Sequence, residues 1–192
     1  MKKGDRVALP LDGKIYDAKY LGRGKYSQAF QVGNRVVLLT QEDCAKEVLA
    51  RYQYDRMMHL PELVEHDWIE TGTQNKINWH VYSSPFYKNV TVKDGEAYRL
   101  MKAMIKFWNQ RYYEHAQTHK PFGLDVMRAF VKDMKESGFP KSVIRALSEL
   151  AEVSGNCGDQ AGFDFHKGNF GVNEYGVLIF RDLVNPLQIS KR

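Results

Sequence analysis

Residues 162–169 of the chain, Gly-Phe-Asp-Phe-His-Lys-Gly-Asn, contain the side chains best suited to catalysis. Asp164 can accept a proton from an attacking hydroxyl, and Asn169, five positions later, offers an amide oxygen to a Mg²⁺ ion. Phosphoryl transfer depends mainly on positioning and charge neutralisation, so one tight loop that holds both residues suits this chemistry. Asp182 follows the apolar segment 177–180 closely, and we predict it as a second metal ligand aimed by the end of a strand. A polar turn without chemistry is the alternative interpretation.

A second candidate site lies between two predicted strands near the N-terminus, in the segment 21–30, Leu-Gly-Arg-Gly-Lys-Tyr-Ser-Gln-Ala-Phe. Gly22 and Gly24 permit close approach of the backbone to phosphate groups, and Lys25 adds a positive charge beside them. Ser27 occupies the place of the third glycine in a Gly-x-Gly-x-x-Gly pattern. The segment is not a Walker loop, because no Gly-Lys-Ser/Thr precedes a helix. A plain hairpin turn is the alternative interpretation of the two glycines.

Hydrophobic periodicity predicts a strand-rich first part of the chain and a helical second part. We predict strands over 16–20, 28–32, 35–39, 63–69 and 77–82, helices over 42–57, 96–115, 124–135 and 142–153, and a hairpin of 169–172 and 177–180. Thr40 is the predicted N-cap of the first helix. Because strands and helices are segregated rather than alternating, the expected class is α+β and not a Rossmann sheet. The expected domains are 1–84, a sheet with one helix, and 85–192, helices with the hairpin.

Composition and charge restrict the class of protein further. The chain has 192 residues, of which 43% are hydrophobic, and this size suits one domain or two small lobes. Its two cysteines, Cys44 and Cys157, exclude a disulfide scaffold. No apolar run approaches about 18 residues, so we expect no membrane span, no secretory signal and a cytoplasmic location. The net charge of +5 favours anionic ligands such as nucleotides, but the absence of a block of like charges disfavours a nucleic-acid surface.

Taken in order, these motifs resemble those of the protein kinase-like superfamily. The sequence Asp-Phe-His-Lys-Gly-Asn of residues 164–169 is similar to the Asp-x-His-x-Gly-Asn loop of aminoglycoside phosphotransferases and other atypical kinases. More narrowly, the chain resembles the early serine/threonine kinases of short-tailed bacteriophages. That resemblance rests on the blocks 21–30, 34–37, 42–43 and 163–169 and on Asp182 shortly before Pro186, and it spans about residues 21–186.

The resemblance implies a compact two-lobed kinase-like fold, with a β-rich N-lobe, a hinge near 83–85 and a reduced helical C-lobe. It implies ATP and Mg²⁺ as cofactors bound in the cleft, with Gly22 and Gly24 covering the phosphates. Asp164 would be the catalytic base, and Asn169 and Asp182 the metal ligands. His166 would brace the loop or act as a base, and Lys167 would contact the γ-phosphate or remain solvated. The implied partner is a host protein phosphorylated on Ser or Thr in the host cytoplasm.

Departures from the kinase pattern open alternatives. The strand lysine that pairs with ATP phosphates should fall near Leu38, but the strand 35–39 contains no lysine. Lys25 and Lys46 are the nearest candidates to replace it. Glu47 is the expected acidic partner on the first helix, with Glu42 as the second choice. Only ten residues follow Asp182, so we expect no activation loop and a shortened C-lobe.

Two other functions therefore stay open beside the kinase. One is a pseudokinase, a catalytically weak or dead protein that inhibits a host protein by binding it. The other is a small-molecule phosphotransferase, which the Asp-x-His form of the loop suggests and which would need an acidic pocket for a cationic substrate.

Overall fold

The structure is a computed structural model, and it describes residues 1–24, 27–41, 44–51, 57–71, 77–116, 123–155, 161–182 and 184–186. The chain divides into two compact units. The first comprises Met1–Asp55 and Glu62–Phe86, and the second comprises Arg56–Pro61 and Tyr87–Arg192.

Six antiparallel strands form the sheet of the first unit, in the order β1-β2-β3-β4-β6-β5. Their bounds are β1 Arg6–Leu11, β2 Lys14–Arg23, β3 Ser27–Val32, β4 Arg35–Thr40, β5 Val64–Thr71 and β6 Ile77–Pro85, with the helix α1 over Cys44–Arg51 between β4 and β5. The edge strands β1 and β5 contact each other, so the sheet is curled. The β1–β2 turn places Asp12 and Gly13 at φ values of 48° and 73°, the left-handed backbone that a tight hairpin requires.

The core of the first unit lies on one face of this sheet. Every second residue of a strand points to that face, because successive side chains of a strand alternate between the two faces. The buried members are Leu9, Leu11, Ala18, Tyr20, Phe30, Val37, Leu39, Trp79 and Val81, and Val7, Tyr16, Val32 and Ile69 pack against them. Burial of each large apolar side chain contributes about 1.5–3 kcal/mol. A slip by one residue would turn these side chains to the opposite face, so the core fixes the register of the strands.

The five strands predicted for this part of the chain are all present, and β1 is an additional strand. Helix α1 lies within the predicted range 42–57, but 42–43 and 52–56 fall outside the described residues and Met57 is not helical. The prediction of Thr40 as a helix N-cap is wrong. Thr40 is buried at the end of β4, where it pairs with Ser27 on β3 and His80 on β6. As a β-branched residue, threonine is well suited to continue the strand.

Residues 83–85, which we expected near a hinge, are the end of β6 and pair with residues 35–37 of β4. The first unit continues to Phe86, whose backbone N–H donates to the carbonyl of Asn34 at 3.0 Å. The last residue bonded to the sheet is therefore Phe86, one residue beyond the segment 83–85 where the hinge was expected.

The second unit consists of three long helices and short strands. Its elements are β7 Lys88–Asn89, a 3₁₀ turn over Val92–Asp94, α2 Gly95–Ala116, α3 Leu124–Glu136, α4 Lys141–Gly155, β8 Ala161–Phe163, a 3₁₀ turn over Lys167–Asn169, β9 Phe170–Val172, β10 Leu178–Phe180 and β11 Val184–Pro186. The strands pair as β10-β9-β7 and as β11-β8. The predicted helices and hairpin are confirmed within one or two residues at the described ends. Strands β7, β8 and β11 were not predicted, because segments of two or three residues carry no periodicity.

Aromatic rings form much of the core of the second unit. Trp108 on α2 meets Phe130 on α3 edge to face, with ring centroids 4.7 Å apart. Trp108 also contacts Phe165 at 4.8 Å, and Phe165 lies 5.4 Å from Phe163. Edge-to-face and tilted aromatic pairs contribute about 0.5–1.5 kcal/mol each beyond their burial. These contacts anchor the segment 163–165 to the helices.

His59 fixes the short segment 57–61 to β10 within the same unit. Its Nδ1 lies 2.7 Å from the Leu178 carbonyl and must donate there, and its Nε2 lies 3.0 Å from the Ser142 hydroxyl, which can donate or accept. The ring also stacks on Phe180 at 5.4 Å. Burial lowers the pKa of His59, with a smaller opposing effect from the Leu178 carbonyl. The lowered pKa favours the neutral imidazole.

The fold is a mixture of helices and strands that are segregated along the chain, which is compatible with the expected α+β class. The kinase-like two-lobed arrangement stays a prediction.

Candidate functional site

The segment 163–165 sets the direction of the Asp164 side chain. Phe163 and Phe165 are both buried, with 4% and 5% of their surface exposed, while Asp164 is only half-buried. Phe163 ends strand β8, and alternation along an extended segment turns the residue between two inward rings away from the core. The two phenylalanines therefore hold Asp164 at the surface of the unit. In the kinase pattern that the sequence resembles, His-Arg precedes the base, whereas Gly162-Phe163 precedes Asp164 here.

Asn169 is hydrogen-bonded to Asp164. Its Nδ2 donates to the Asp164 carboxylate oxygen Oδ2 and to the Asp164 carbonyl, both at 3.0 Å. Two accepting oxygens of one aspartate fix the amide orientation, because only the NH₂ group can donate. The Oδ1 atom is then the polar atom of Asn169 that is turned away from this aspartate. The structure thus brings together the predicted base and one predicted metal ligand.

His166 and Gly168 close the turn between these two residues. The Nδ1 atom of His166 accepts from the Gly168 N–H at 3.1 Å, and the His166 carbonyl accepts from the Asn169 N–H at 2.8 Å. A Cβ atom added to Gly168 would lie 2.8 Å from the His166 ring, so a side chain there would displace the histidine. These contacts are those expected if His166 braces the loop, which is one of the two roles that the resemblance implies for it. Lys167 is exposed beside it.

Two short ladders bring Asp182 to the same place. Strand β8 ends just before Asp164 and pairs antiparallel with β11, which begins two residues after Asp182. Strand β9 begins just after Asn169 and pairs antiparallel with β10, which ends two residues before Asp182. Asp164, Asn169 and Asp182 therefore lie at the same end of the two ladders. The Asp182 N–H lies 3.4 Å from the Asn169 carbonyl, and the Asp182 side chain is exposed.

The three residues supply only oxygen atoms to a cation. Mg²⁺ prefers oxygen ligands and is usually held by one or two carboxylates together with phosphate oxygens and water. The Oδ1 atom of Asn169 and the carboxylate of Asp182 are ligands of this type, and they fit Mg²⁺ better than zinc, which favours nitrogen and sulfur. Within the described ranges, no group of three or more His, Cys, Asp or Glu side chains is arranged to hold a metal ion.

Arg181 ties this turn to β7, and sequence reasoning did not select it. Its backbone N–H donates to the Asn169 carbonyl at 2.8 Å. Its guanidinium donates to the Gly168 carbonyl at 2.8 Å, to Asn89 Oδ1 at 3.0 Å and to the Tyr87 carbonyl at 3.2 Å. The side chain therefore holds one end of the 3₁₀ turn against the neighbouring strand.

Burial lowers the pKa of Arg181, and the negative charge of Asp182 partly opposes this shift. The Nε atom of Arg181 is buried and has no hydrogen-bond partner among the described residues. A cation directly after a buried apolar strand needs several acceptors, because an isolated buried charge is very unfavourable. The apolar segment 177–180 followed directly by Arg181 is therefore the feature of the sequence that could have indicated a structural role for this arginine.

The glycine segment of the first unit is the turn between β2 and β3. The pairing of the two strands shifts between Tyr20 and Gly22, and Gly22 has a φ of 153°, which residues with a side chain rarely adopt. The N–H of Gly24 donates to the Ser27 carbonyl at 2.9 Å and closes the turn. Lys25 lies outside the described residues. The geometry is therefore that of a bulged hairpin. It is compatible both with a phosphate-binding turn and with a plain hairpin turn.

The residues that we predicted to replace the missing strand lysine, or to pair with it, lie in the first unit. Leu38 is in β4, opposite Ala29 on β3 and Tyr82 on β6, so the strand presents an apolar side chain at that position. Lys46 on α1 is buried, with 9% of its surface exposed. Glu47 forms an ion pair with Arg51 on the same helix, with Oε1 and Nη2 2.6 Å apart. Glu42 lies outside the described residues.

The first unit also holds an Asp-His-Ser arrangement that the sequence did not indicate. His66 Nδ1 lies 2.6 Å from Asp12 Oδ2, and His66 Nε2 lies 2.7 Å from the Ser83 hydroxyl. These contacts resemble a hydrolase triad. Ser83 is 98% buried, however, and its oxygen also accepts from Arg35 Nε at 3.1 Å. A substrate carbonyl has no approach to that oxygen, so the network is a structural link between the β1–β2 turn and strands β4, β5 and β6.

Comparisons with models of known families, with curated protein sequences and with solved structures found no match to this chain. None of the helices in the described parts of the chain combines the length and apolar character needed to cross a membrane.

Proposed function

We propose that the chain is a kinase-like phosphotransferase that binds Mg²⁺-ATP and phosphorylates a host protein on Ser or Thr. The observation that carries the proposal is the turn 164–169, in which Asn169 donates its amide to Asp164 while two ladders bring in Asp182. Residues 164–169 match the Asp-x-His-x-Gly-Asn form of the families that the sequence resembles, although Leu183-Val184 rather than Phe-Gly follow Asp182. A base and two oxygen ligands held close together are what phosphoryl transfer needs from a protein.

Each residue has a distinct role in this proposal. Asp164 Oδ2 is hydrogen-bonded to Asn169, so Oδ1 would accept the proton of the substrate hydroxyl. Asn169 and Asp182 would hold Mg²⁺, which when bound neutralises charge on the phosphates. Lys167 is exposed next to the base, where its ammonium could contact the transferred phosphate.

In the first unit, the proposal gives the phosphate contacts to Gly22 and Gly24. The N–H of Gly24 is already used by Ser27, so other backbone N–H groups of the turn would have to make these contacts.

Mg²⁺-dependent ATP binding to the full-length chain tests the first step of the proposal. Asp182→Asn and Asn169→Ala should each weaken binding about tenfold or more in the presence of Mg²⁺ and have little effect without it. The matched control is Asp133→Asn on α3, which changes the same charge away from the turn. ATP binding that ignores Mg²⁺, or equal weakening by Asp133→Asn, would contradict the roles given to Asn169 and Asp182.

A pseudokinase is the second candidate, and Leu38 favours it. The strand position expected to carry the phosphate-binding lysine holds an apolar side chain, and Glu47, the expected partner of that lysine, pairs with Arg51 instead. A leucine cannot neutralise phosphate charge. The two candidates differ in their dependence on the base. Asp164→Ala should abolish the effect of a kinase on its host, whereas a pseudokinase that acts by binding should retain its effect.

A further inference from the structure

The helix α2 has a basic stripe on the face opposite its buried side. The buried residues Ala97, Met101 and Met104 define the inward face. Arg99, Lys102 and Lys106 are exposed, and their spacing of three and four residues places them on one stripe about 180° from that face. At a rise of about 1.5 Å per residue, the three cations span about 10 Å along the helix.

An open depression of about 540 Å³ runs along this stripe. It is lined by Lys102, Ala103, Ile105, Lys106, Asn109 and Gln110. The small side chain of Ala103 leaves room beside the lysine stems, and the two amides can donate and accept hydrogen bonds. The surface thus combines positive charge, apolar contact area and amide groups.

The charges of the stripe have no acidic partners within the described part of the chain, whereas two cations of α3 do. On α3, Arg128 pairs with Glu152 of α4 at 2.6 Å, and Lys132 pairs with Glu136 at 3.9 Å. Between residues 99 and 110, α2 contains no acidic residue at all. Lys102 and Lys106 are four residues apart on a helix, where like charges repel each other. Carboxylates from another molecule would remove that repulsion.

We infer that the basic stripe, defined as Arg99, Lys102 and Lys106 with the depression beside the two lysines, is a docking surface for an acidic segment of a partner protein. Charge complementarity selects an anionic partner. A nucleic acid fits less well, because none of the residues of the stripe or of the lining of the depression is aromatic and because three cations neutralise few phosphates. The docking surface is independent of the proposed phosphotransferase activity, since none of its residues belongs to the turn 164–169.

Peptide binding to the full-length chain tests the inference. The probe is a fluorescein-labelled peptide of about 14 residues with glutamates at three- and four-residue intervals, which matches the helical spacing of the stripe. Lys102→Glu combined with Lys106→Glu should weaken binding about tenfold or more. The control combines Lys135→Glu with Lys141→Glu, two exposed lysines on α3 and α4 that give the same change in net charge, and it should weaken binding less than about threefold.

Because the stripe is exposed, both double variants should keep the wild-type circular dichroism spectrum and melting temperature. If the glutamate variant fails to fold, Lys102→Gln combined with Lys106→Gln replaces it and should weaken binding in the same direction. Equal weakening by the control pair would overturn the inference in favour of non-specific attraction. A short DNA duplex is compared with unlabelled peptide as a competitor. If the duplex displaces the labelled peptide at a lower concentration, the inference is overturned in favour of nucleic acid. Absence of peptide binding at about 1 mM would also overturn it.

Discussion

Replacement of Arg181 by methionine removes the guanidinium that holds the turn 164–169 to β7, and we expect it to destabilise the second unit. Methionine preserves the unbranched stem, so the change removes the guanidinium charge together with its three side-chain hydrogen bonds of 2.8–3.2 Å. Hydrogen bonds to a charged group contribute about 1.5–3 kcal/mol each when buried. Arg181 is half-buried, and two of its three bonds are solvent-exposed, so a total loss of about 2–3 kcal/mol is expected.

Urea denaturation followed by tryptophan fluorescence measures this loss, because Trp108 reports on the second unit and Trp79 on the first. The matched control is Arg145→Met on α4, an exposed arginine whose loss should change the free energy of unfolding by less than about 0.5 kcal/mol. We also expect faster hydrogen exchange at the Asn169 amide in Arg181→Met. An Arg181→Met protein as stable as Arg145→Met would refute the reasoning, because the guanidinium would then contribute nothing to the turn.

Three other perturbations test separate parts of the structure. Gly171→Ala should lower the free energy of unfolding by about 1–3 kcal/mol in urea titrations, because the new Cβ atom would lie 2.7 Å from Tyr87 Cβ, which the adjoining β7 backbone prevents from moving away. Burial lowers the pKa of His59 below its ordinary 6.5, so the unfolded chain binds a proton more readily and stability should fall as the pH drops below about 6.5. Ser83→Ala should cost about 1–3 kcal/mol because His66 Nε2 and Arg35 Nε lose their hydrogen-bond partner, and the wild-type protein should not react with a fluorophosphonate.

Each of these expectations has a contrary result. A Gly171→Ala protein of wild-type stability would mean that β7 and β9 are not packed as described. The pH dependence should disappear in His59→Asn, a substitution chosen because asparagine tolerates the φ of 79° at this position, and its persistence would assign the effect to another group. Covalent labelling of Ser83 would show that its hydroxyl is accessible after all.

Much of the fold could be predicted from the sequence because its signals are local. The alternation of apolar residues in 35–39 and the three- and four-residue spacing in 96–115 indicated a strand and a helix that the structure contains. The hairpin 169–180 carried its own turn sequence. Thr40 was misassigned because its side chain suits both a strand end and a helix cap, and only the partners Ser27 and His80 decide between them.

The candidate site was predictable in part for the same reason. Asp164 and Asn169 are close in sequence, so their spacing alone suggested that one turn holds both. Arg181 was missed because its acceptors include Tyr87 and Asn89, about ninety residues earlier in the chain. The Asp12–His66–Ser83 network is likewise assembled from three distant segments. Contacts of that kind depend on sheet order, which hydrophobic periodicity does not specify.

Phosphate transfer from γ-labelled ATP tests the central claim most directly. The full-length protein is incubated with Mg²⁺ and with a host lysate or with itself, and Asp164→Asn is compared with the control Asp133→Asn. Loss of a general base lowers a rate by about 10²–10⁴-fold, so we expect label with the wild type and with Asp133→Asn, and almost none with Asp164→Asn. Equal transfer by Asp164→Asn, or no transfer at all from a folded wild-type protein, would contradict the assignment of the turn 164–169 as a phosphotransfer site.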